Sequence, residues 1–263
     1  MRLFQPMPLP GAPPYVVAHR GISSKAPENT LASFERAAGI PGIDMIELDV
    51  RLTRDEEVIV LHDRTLQRTS TGNGPARNYT LEEIRRLDAG SWFHPMFSDQ
   101  RIPTLAEVFQ NVGSRLWVDV EIKSDLLHRE SQGLLEKKVL AVVQQYGMSD
   151  RVLFSSFDHR LLLNIKQLDS TARTGVLFDF VHDFGRSPSK LADRVGAKVF
   201  KCATRELNRR MLEDAHAHGI AVYVYTLNSA QSTQRMLSYG VDGILSNNAD
   251  DIVSVVNRHG GRR

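Results

Sequence analysis

Four short polar segments sit inside strand-like hydrophobic runs: Ala18-His19-Arg20-Gly21, Glu47-Leu48-Asp49-Val50, Leu61-His62-Asp63 and Val120-Glu121-Ile122-Lys123. A β-strand sends alternate side chains to one face, so Glu47 shares a face with Asp49, and Glu121 with Lys123. If these strands face one cavity, it receives three carboxylates, a lysine and histidines from two further strand ends. Charge buried at that density is costly unless the groups neutralise one another or hold a metal, so the pattern points to a functional site. Glu47, Asp49 and Glu121 form an all-oxygen set, which suits a hard divalent cation, Mg²⁺ or Ca²⁺. Three converging carboxylates raise one another's pKa, and a cation reverses that pressure. Ion pairing of Glu47 or Glu121 with Arg51 or Lys123 explains the same residues equally well from spacing alone.

His19 and His62 each end a predicted strand, where barrel enzymes keep their reacting groups. Two imidazoles in different protonation states can act as general base and general acid across a phosphorus centre. Arg20 can grip two phosphate oxygens at once, and Lys123 supplies a compact point charge. Lys123 also balances Glu121, and the two roles are compatible. Asp63 is expected to orient His62 or a loop backbone. Asp119 shares a face with Glu121 one layer deeper, with no partner evident in the sequence. Ser155-Ser156 lacks the GxSxG context of a nucleophilic serine. His216 and His218 lie two apart on a predicted helix and face different directions. Phe157 and Tyr225 end strands on the presumed active rim, and aromatic packing is the default explanation for both.

The elements that position these groups alternate from end to end. Strand runs are Tyr15–His19, Met45–Val50, Val58–His62, Leu116–Lys123, Val152–Phe157, Thr174–Phe178, Lys198–Cys202, Ala221–Leu227 and Gly243–Ser246. Amphipathic helices lie between most of them, among them Glu206–Ala217, closed by Gly219. Thr80 with Glu83, and Thr104 with Glu107, fit the capping box that starts a helix. Repeated βα alternation with short connections implies a parallel α/β sheet, and a TIM (β/α)8-type barrel is the expected form. Nine strand runs exceed the eight that close a barrel, and the link from Val50 to Val58 is too short for a covering helix. The barrel is therefore irregular near its start, and the run outside the ring is not identifiable from sequence. The stretch at about 64–103 breaks the rhythm with turns, one short helix and Trp92-Phe93-His94-Pro95-Met96-Phe97. It reads as an inserted segment over the active face, a place where substrate is often gripped, with a packed flap that makes no substrate contact as the alternative.

Residues 1–263 fit one such barrel domain. The composition is 41% hydrophobic and 24% charged, and the formal charge of +2 is too small to argue for nucleic acid. The single Cys202 excludes an intrachain disulfide and a cysteine-based zinc site. Met1–Pro14 carries five prolines before any long apolar stretch, and no run reaches the roughly 20 apolar residues that span a bilayer. A cytoplasmic address without a stable membrane anchor is expected. Arg258-His259-Gly260-Gly261-Arg262-Arg263 reads as a frayed tail.

His19-Arg20-Gly21, Pro27-Glu28-Asn29-Thr30, Glu47-Leu48-Asp49, His62-Asp63 and Glu121-Ile122-Lys123 together resemble the glycerophosphodiester phosphodiesterase family. Ser155-Ser156-Phe157 and Val224-Tyr225-Thr226-Leu227-Asn228 extend the resemblance, which runs from about Val16 to Asp250. It implies a barrel like that of phosphoinositide-specific phospholipase C, with an insertion that helps bind glycerol. The implied activity is hydrolysis of glycerophosphodiesters to glycerol 3-phosphate and an alcohol. By resemblance, Glu47, Asp49 and Glu121 bind the divalent metal, His19 and His62 are acid and base, and Arg20 and Lys123 contact phosphate. The chain departs from the family pattern at Tyr225, often Trp, and at Ser246-Asn247, often Thr-Asp. Both departures are expected to touch the rim and substrate range rather than the metal and histidine set. Two alternatives stand beside this reading. A lysophospholipase D-like activity on single-chain lipids would favour an exposed apolar rim, for which Trp92, Phe93, Met96 and Phe97 are the hint. A non-catalytic phosphometabolite-binding barrel would have no use for an acid–base pair.

Overall fold

Nine strands appear in a computed structural model that describes residues 13–124 and 133–260. They are β1 (Tyr15–His19), β2 (Met45–Leu52), β3 (Val58–Val60), β4 (Trp117–Ile122), β5 (Val152–Ser156), β6 (Arg173–Leu177), β7 (Val199–Ala203), β8 (Ala221–Tyr225) and β9 (Gly243–Ser246). All but β3 pair in parallel, in the order β1-β2-β4-β5-β6-β7-β8-β9, and β9 returns to β1. Eight strands thus close a (β/α)8 barrel, and every ring strand ends at the same mouth.

Period-two alternation divides the ring strands. Val16, Ala18, Ile46, Leu48, Val118 and Val120 pack outward in the main core under the helices. Tyr15, Val17, Met45, Trp117, Leu153, Val199, Ala221, Tyr223 and Leu245 form a second cluster that plugs the bore. Next along these strands come the buried polar residues Glu47, Asp119, Ser155 and Lys201, and then His19, Asp49, Glu121 and Lys123 at the mouth. The apolar plug keeps water from reaching the polar layer from below.

The strand outside the ring is β3. β2 runs past the ring to Leu52, a turn closes with Thr53 N–H donating to Glu57 O at 3.0 Å, and β3 returns antiparallel with Leu52 opposite Val58. The predicted run Val58–His62 is corrected here: the strand stops at Val60, and His62 ends no ring strand. The hairpin still delivers it to the mouth. Leu61 N–H donates to Asp49 O at 2.9 Å, and the Arg51 guanidinium holds His62 O at 2.7 Å and 3.1 Å.

After the covering helix α1 (Leu31–Ala38), residues 64–103 carry one short α-helix, α2 (Leu81–Arg85), and single 3-10 turns at Ala76–Asn78 and Pro95–Phe97. The segment has a small core of its own, in which Leu66, Ala76, Ile84, Ala89 and Ile102 pack on Ile59 and Leu61. Both predicted capping boxes form: Thr80 with Glu83 opens α2, and Thr104 with Glu107 opens α3 (Leu105–Val112). Of the stretch 92–97, Phe97 is buried, Phe93 packs edge-on against it and Trp92, and Trp92, His94, Pro95 and Met96 face outward.

The remaining helices are α4 (Leu134–Gln145), α5 (His159–Leu168), α6 (Pro188–Val195), α7 (Arg209–Ala217), α8 (Ala230–Tyr239) and α9 (Ala249–Gly260). α7 begins three residues later than its predicted start at Glu206. Asn208 caps it by accepting from Met211 N–H at 3.0 Å, and Glu206 instead accepts from Ala203 N–H at 2.9 Å. α9, absent from the sequence reading, buries Ile252, Val253, Val255 and Val256 on one face. It absorbs Arg258, His259 and Gly260, so that part of the supposed frayed tail is helical; the rest lies outside the described residues. Among the described residues no helix is long and apolar enough to cross a membrane.

Candidate active site

The end of β1 turns sharply. Arg20 and Asn29 both adopt left-handed backbone at φ 58°, which costs a non-glycine residue about 1–2 kcal/mol. Hydrogen bonds over-determine the turn: Arg20 N–H donates to Glu47 O at 2.9 Å, and Asn29 N–H to Arg20 O at 3.1 Å. Gly21 between them has φ 80°, and a Cβ there would lie 2.4 Å from Ser33 Oγ, so only glycine fits. This turn aims Arg20 into the mouth and leaves Asn29 Nδ2 donating to Asp49 Oδ2 at 2.8 Å. Thr30 then caps α1.

Glu47, Asp49 and Glu121 converge as their registers require, since Asp49 sits opposite Glu121 on the adjacent strand. One oxygen from each lies within 4.8 Å of the others, and all three residues are buried. Lys123 Nζ lies 2.8 Å from Asp49 Oδ1 and also bonds Glu121, while Arg20 Nε lies 3.3 Å from Asp49 Oδ2. Burial alone would raise the Asp49 carboxyl, but Lys123 and Arg20 overrule it and hold it well below the usual carboxylate range. Glu47 goes the other way: burial, and then the Asp49 charge, push it well above that range. A cation placed among these oxygens reverses that push. The donor set suits a hard ion, and Asn29 adds a buried Oδ1 that no protein donor satisfies.

The two histidines are held differently. His19 Nδ1 meets Asn247 Oδ1 at 2.7 Å, and its Nε2 lies 3.9 Å from Glu47 Oε2. Burial, reinforced by the Arg20 charge, lowers the His19 pKa to about 4, so the ring is neutral at pH 7. With Nδ1 donating to the amide oxygen, the lone pair sits on Nε2. His62 Nδ1 instead meets a carboxylate, Asp63 Oδ1, at 2.7 Å. The Asp63 pKa is drawn down to about 2, first by its bond from Arg68 and then by that from His62.

A family model described as the glycerophosphoryl diester phosphodiesterase family matches residues 19–251. The chain belongs to that family. A glycerophosphodiester phosphodiesterase from Caldanaerobacter subterraneus subsp. tengcongensis is 35% identical over 248 residues, spanning 93% of this chain and 98% of the relative. An enzyme of the same name from Bacillus subtilis is 32% identical over 252 residues, spanning 89% and 83%. Among solved structures, an Oleispira antarctica phosphodiesterase in complex with the product sn-glycerol-3-phosphate matches with a TM-score of 0.85 at 28% identity. It covers 92% of this chain and 96% of its own. The activity is hydrolysis of glycerophosphodiesters, carried on the barrel that those structures share.

In this phosphodiesterase all seven residues singled out in the sequence meet at one mouth. Arg51, considered there as a carboxylate partner, donates to the His62 carbonyl. Asp63 orients His62 as expected. Phe157 and Tyr225 pack together edge-on, 6.5 Å apart, and His216 and His218 diverge to Asp242 and the Asp214 carbonyl. Three contributors were missed. Lys201 is the partner of Asp119, at 2.6 Å; its signal was present, a lysine at an inward position of an apolar strand. Asn29 carried no signal of its contact with Asp49. Arg68, which joins Asp63 to Glu28, lies in the irregular segment, where no periodicity places a side chain.

One expectation is overturned. Asn247 was expected to affect the rim alone, yet it is the His19 partner. Asn247→Asp should therefore put a negative charge on His19 Nδ1 and raise that pKa from about 4 toward neutrality. With His19 as the base, the role proposed for it below, the acid limb of kcat/KM should move up by about 1–3 pH units, the span typical of such a charge. A pH–rate profile identical to the wild type would refute this assignment of the His19 environment.

Proposed function

We propose that the phosphodiesterase hydrolyses glycerophosphodiesters to sn-glycerol 3-phosphate and an alcohol, with one Mg²⁺ or Ca²⁺ held by Glu47, Asp49 and Glu121. The observation that carries this reading is the convergence of those carboxylates with two histidines of opposite character. Bound there, the cation would supply Lewis-acid stabilisation of charge on a phosphate oxygen. Arg20 and Lys123 flank Asp49 and are placed to balance the remaining charge of the phosphodiester. His19, neutral and with its Nε2 lone pair inward, takes a proton from the nucleophile, which is water or the adjacent glycerol hydroxyl through a cyclic phosphate. The P–O bond to the head group breaks as His62 delivers the Nε2 proton to the leaving alkoxide, with Asp63 behind the ring. The segment at 64–103 would receive the glycerol.

Glycerol 3-phosphate release from glycerophosphocholine and glycerophosphoethanolamine, assayed with Mg²⁺, Ca²⁺ or EDTA, tests the proposal. Activity lost in EDTA and restored by one of the ions is expected; full activity in EDTA would remove the metal from the mechanism. The second reading, cleavage of single-chain lysolipids, has one observation in its favour. Phe157 after β5 and Phe180, Val181 and Phe184 after β6 stand 44%, 55%, 79% and 74% exposed on the catalytic rim. Faster turnover of lysophosphatidylcholine than of glycerophosphocholine would favour it.

A further inference from the structure

The inserted segment reaches the reacting groups through Arg68. Arg68 donates from Nε to Asp63 Oδ2 at 2.6 Å and from Nη2 to Asp63 Oδ1 at 3.0 Å. The same guanidinium donates from Nη1 to Glu28 Oε2 and from Nη2 to Glu28 Oε1, both at 2.8 Å. Each carboxylate in turn holds a group that the proposed mechanism uses. Asp63 Oδ1 meets His62 Nδ1 at 2.7 Å, and Glu28 Oε1 accepts from Arg20 Nη1 at 2.9 Å. The chain of contacts His62–Asp63–Arg68–Glu28–Arg20 is unbroken and joins β1, the hairpin and the insertion.

We propose that Arg68 is a positioning residue that sets the spacing between the proton donor His62 and the phosphate-binding Arg20. This rests on the roles given to those two residues above. The insertion is then part of the frame of the catalytic centre and not only a cover for glycerol. The physical reason lies in the fork of the guanidinium. Two carboxylates brought this close repel one another, and one planar cation with four directed N–H bonds both cancels the repulsion and fixes the angle between them. A lysine at the same place has the charge but not the two forks. Proton delivery needs His62 Nε2 within hydrogen-bond reach of the leaving oxygen while Arg20 holds the phosphate still, and small misplacements there are costly in rate.

Arg68 is 44% exposed, so its ion pairs add little to global stability, and its loss should appear in turnover. Arg68→Ala should lower kcat about 10–100-fold, the range for removing a residue that orients a reacting group through its ligand. Its melting temperature should stay at the wild-type value. Arg68→Lys should fall between, and low-millimolar guanidinium should restore part of the Arg68→Ala rate while ammonium does not. A His62 Nδ1–H proton resonance is expected in the wild type from the 2.7 Å contact with Asp63, and it should shift or vanish in Arg68→Ala. Wild-type kcat and KM in folded Arg68→Ala and Arg68→Lys would overturn the positioning role. So would a loss of rate that follows a loss of melting temperature with the His62 signal unmoved. His62→Ala, measured alongside, separates the two levels: undiminished turnover in that variant would sink the underlying mechanism instead.

Discussion

His62→Ala should lose about 10²–10⁴-fold in kcat on glycerophosphocholine, and should regain most of it on a glycerol phosphate ester with a nitrophenol leaving group. The asymmetry between the histidines produces this result. A choline alkoxide must be protonated as it departs, and the donor proposed above is His62, backed by the Asp63 carboxylate at 2.7 Å. A nitrophenolate leaves unaided, so the acid becomes dispensable. His19→Ala should lose a comparable factor on both esters, because the nucleophile still needs a base. His19 is suited to act as that base, since burial and Arg20 bring its pKa down to about 4 and Asn247 offers its ring no compensating charge. Neither variant removes a carboxylate, and the nearest approach is the 3.9 Å between His19 Nε2 and Glu47 Oε2, so divalent-ion affinity measured by calorimetry should stay near the wild-type value. Equal recovery of both variants on the nitrophenyl ester would reverse or abolish the assignment of acid and base.

Lys201→Met should cost about 3–5 kcal/mol of folding stability, the usual penalty for removing one partner of a buried ion pair. Lys201 is 1% exposed, and its Nζ lies 2.6 Å from Asp119 Oδ2 and 3.1 Å from Ser155 Oγ. Ser155 Oγ donates to Asp119 Oδ1 at 2.7 Å, so the three side chains close a polar layer above the apolar plug. Burial alone would lower the Lys201 pKa, but Asp119, Glu47 and Glu121 outweigh it and raise it above the ordinary value. A raised folded-state pKa means the contribution is complete below the unfolded value of about 10.4 and is lost as pH rises through the folded value. Stability should therefore fall only in strongly alkaline solution. The double variant Asp119→Asn, Lys201→Met removes both charges and should recover most of the loss in urea titration. A single variant as stable as the wild type, or a double variant worse than the single one, would contradict this account.

Lys201 also links stability to chemistry. Its charge acts on Glu47 within the polar layer and on Glu121 at the mouth above it, which offsets part of their mutual repulsion. The barrel thus carries cations below and above its acidic group, Lys201 in the bore and Lys123 with Arg20 at the mouth. That arrangement lets three buried carboxylates coexist in the folded chain.

Glu47 with Asp49 and Glu121 with Lys123 were legible in the chain because alternation along a strand is a local property, spanning two residues. The capping boxes at Thr80 and Thr104 were legible for the same reason, as both are completed within one helical turn. So was the barrel class, which follows from the repeated alternation of strands and helices. The run that lies outside the ring was not legible. Val58–Val60 has the apolar character of a ring strand, and only its antiparallel return against β2 distinguishes it. Nor could the partners of the site be read. Asn247 reaches His19 across 228 residues, and Lys201 reaches Asp119 across 82. Arg68 meets Glu28 from a segment with no period at all. Such pairings are made when the barrel closes and β9 docks on β1. Residue types and short spacings carry the kind of chemistry, because each side chain brings its own donors, acceptors and charge. Closure of the ring decides which of these groups meet, and so which histidine is held neutral and which is backed by a carboxylate.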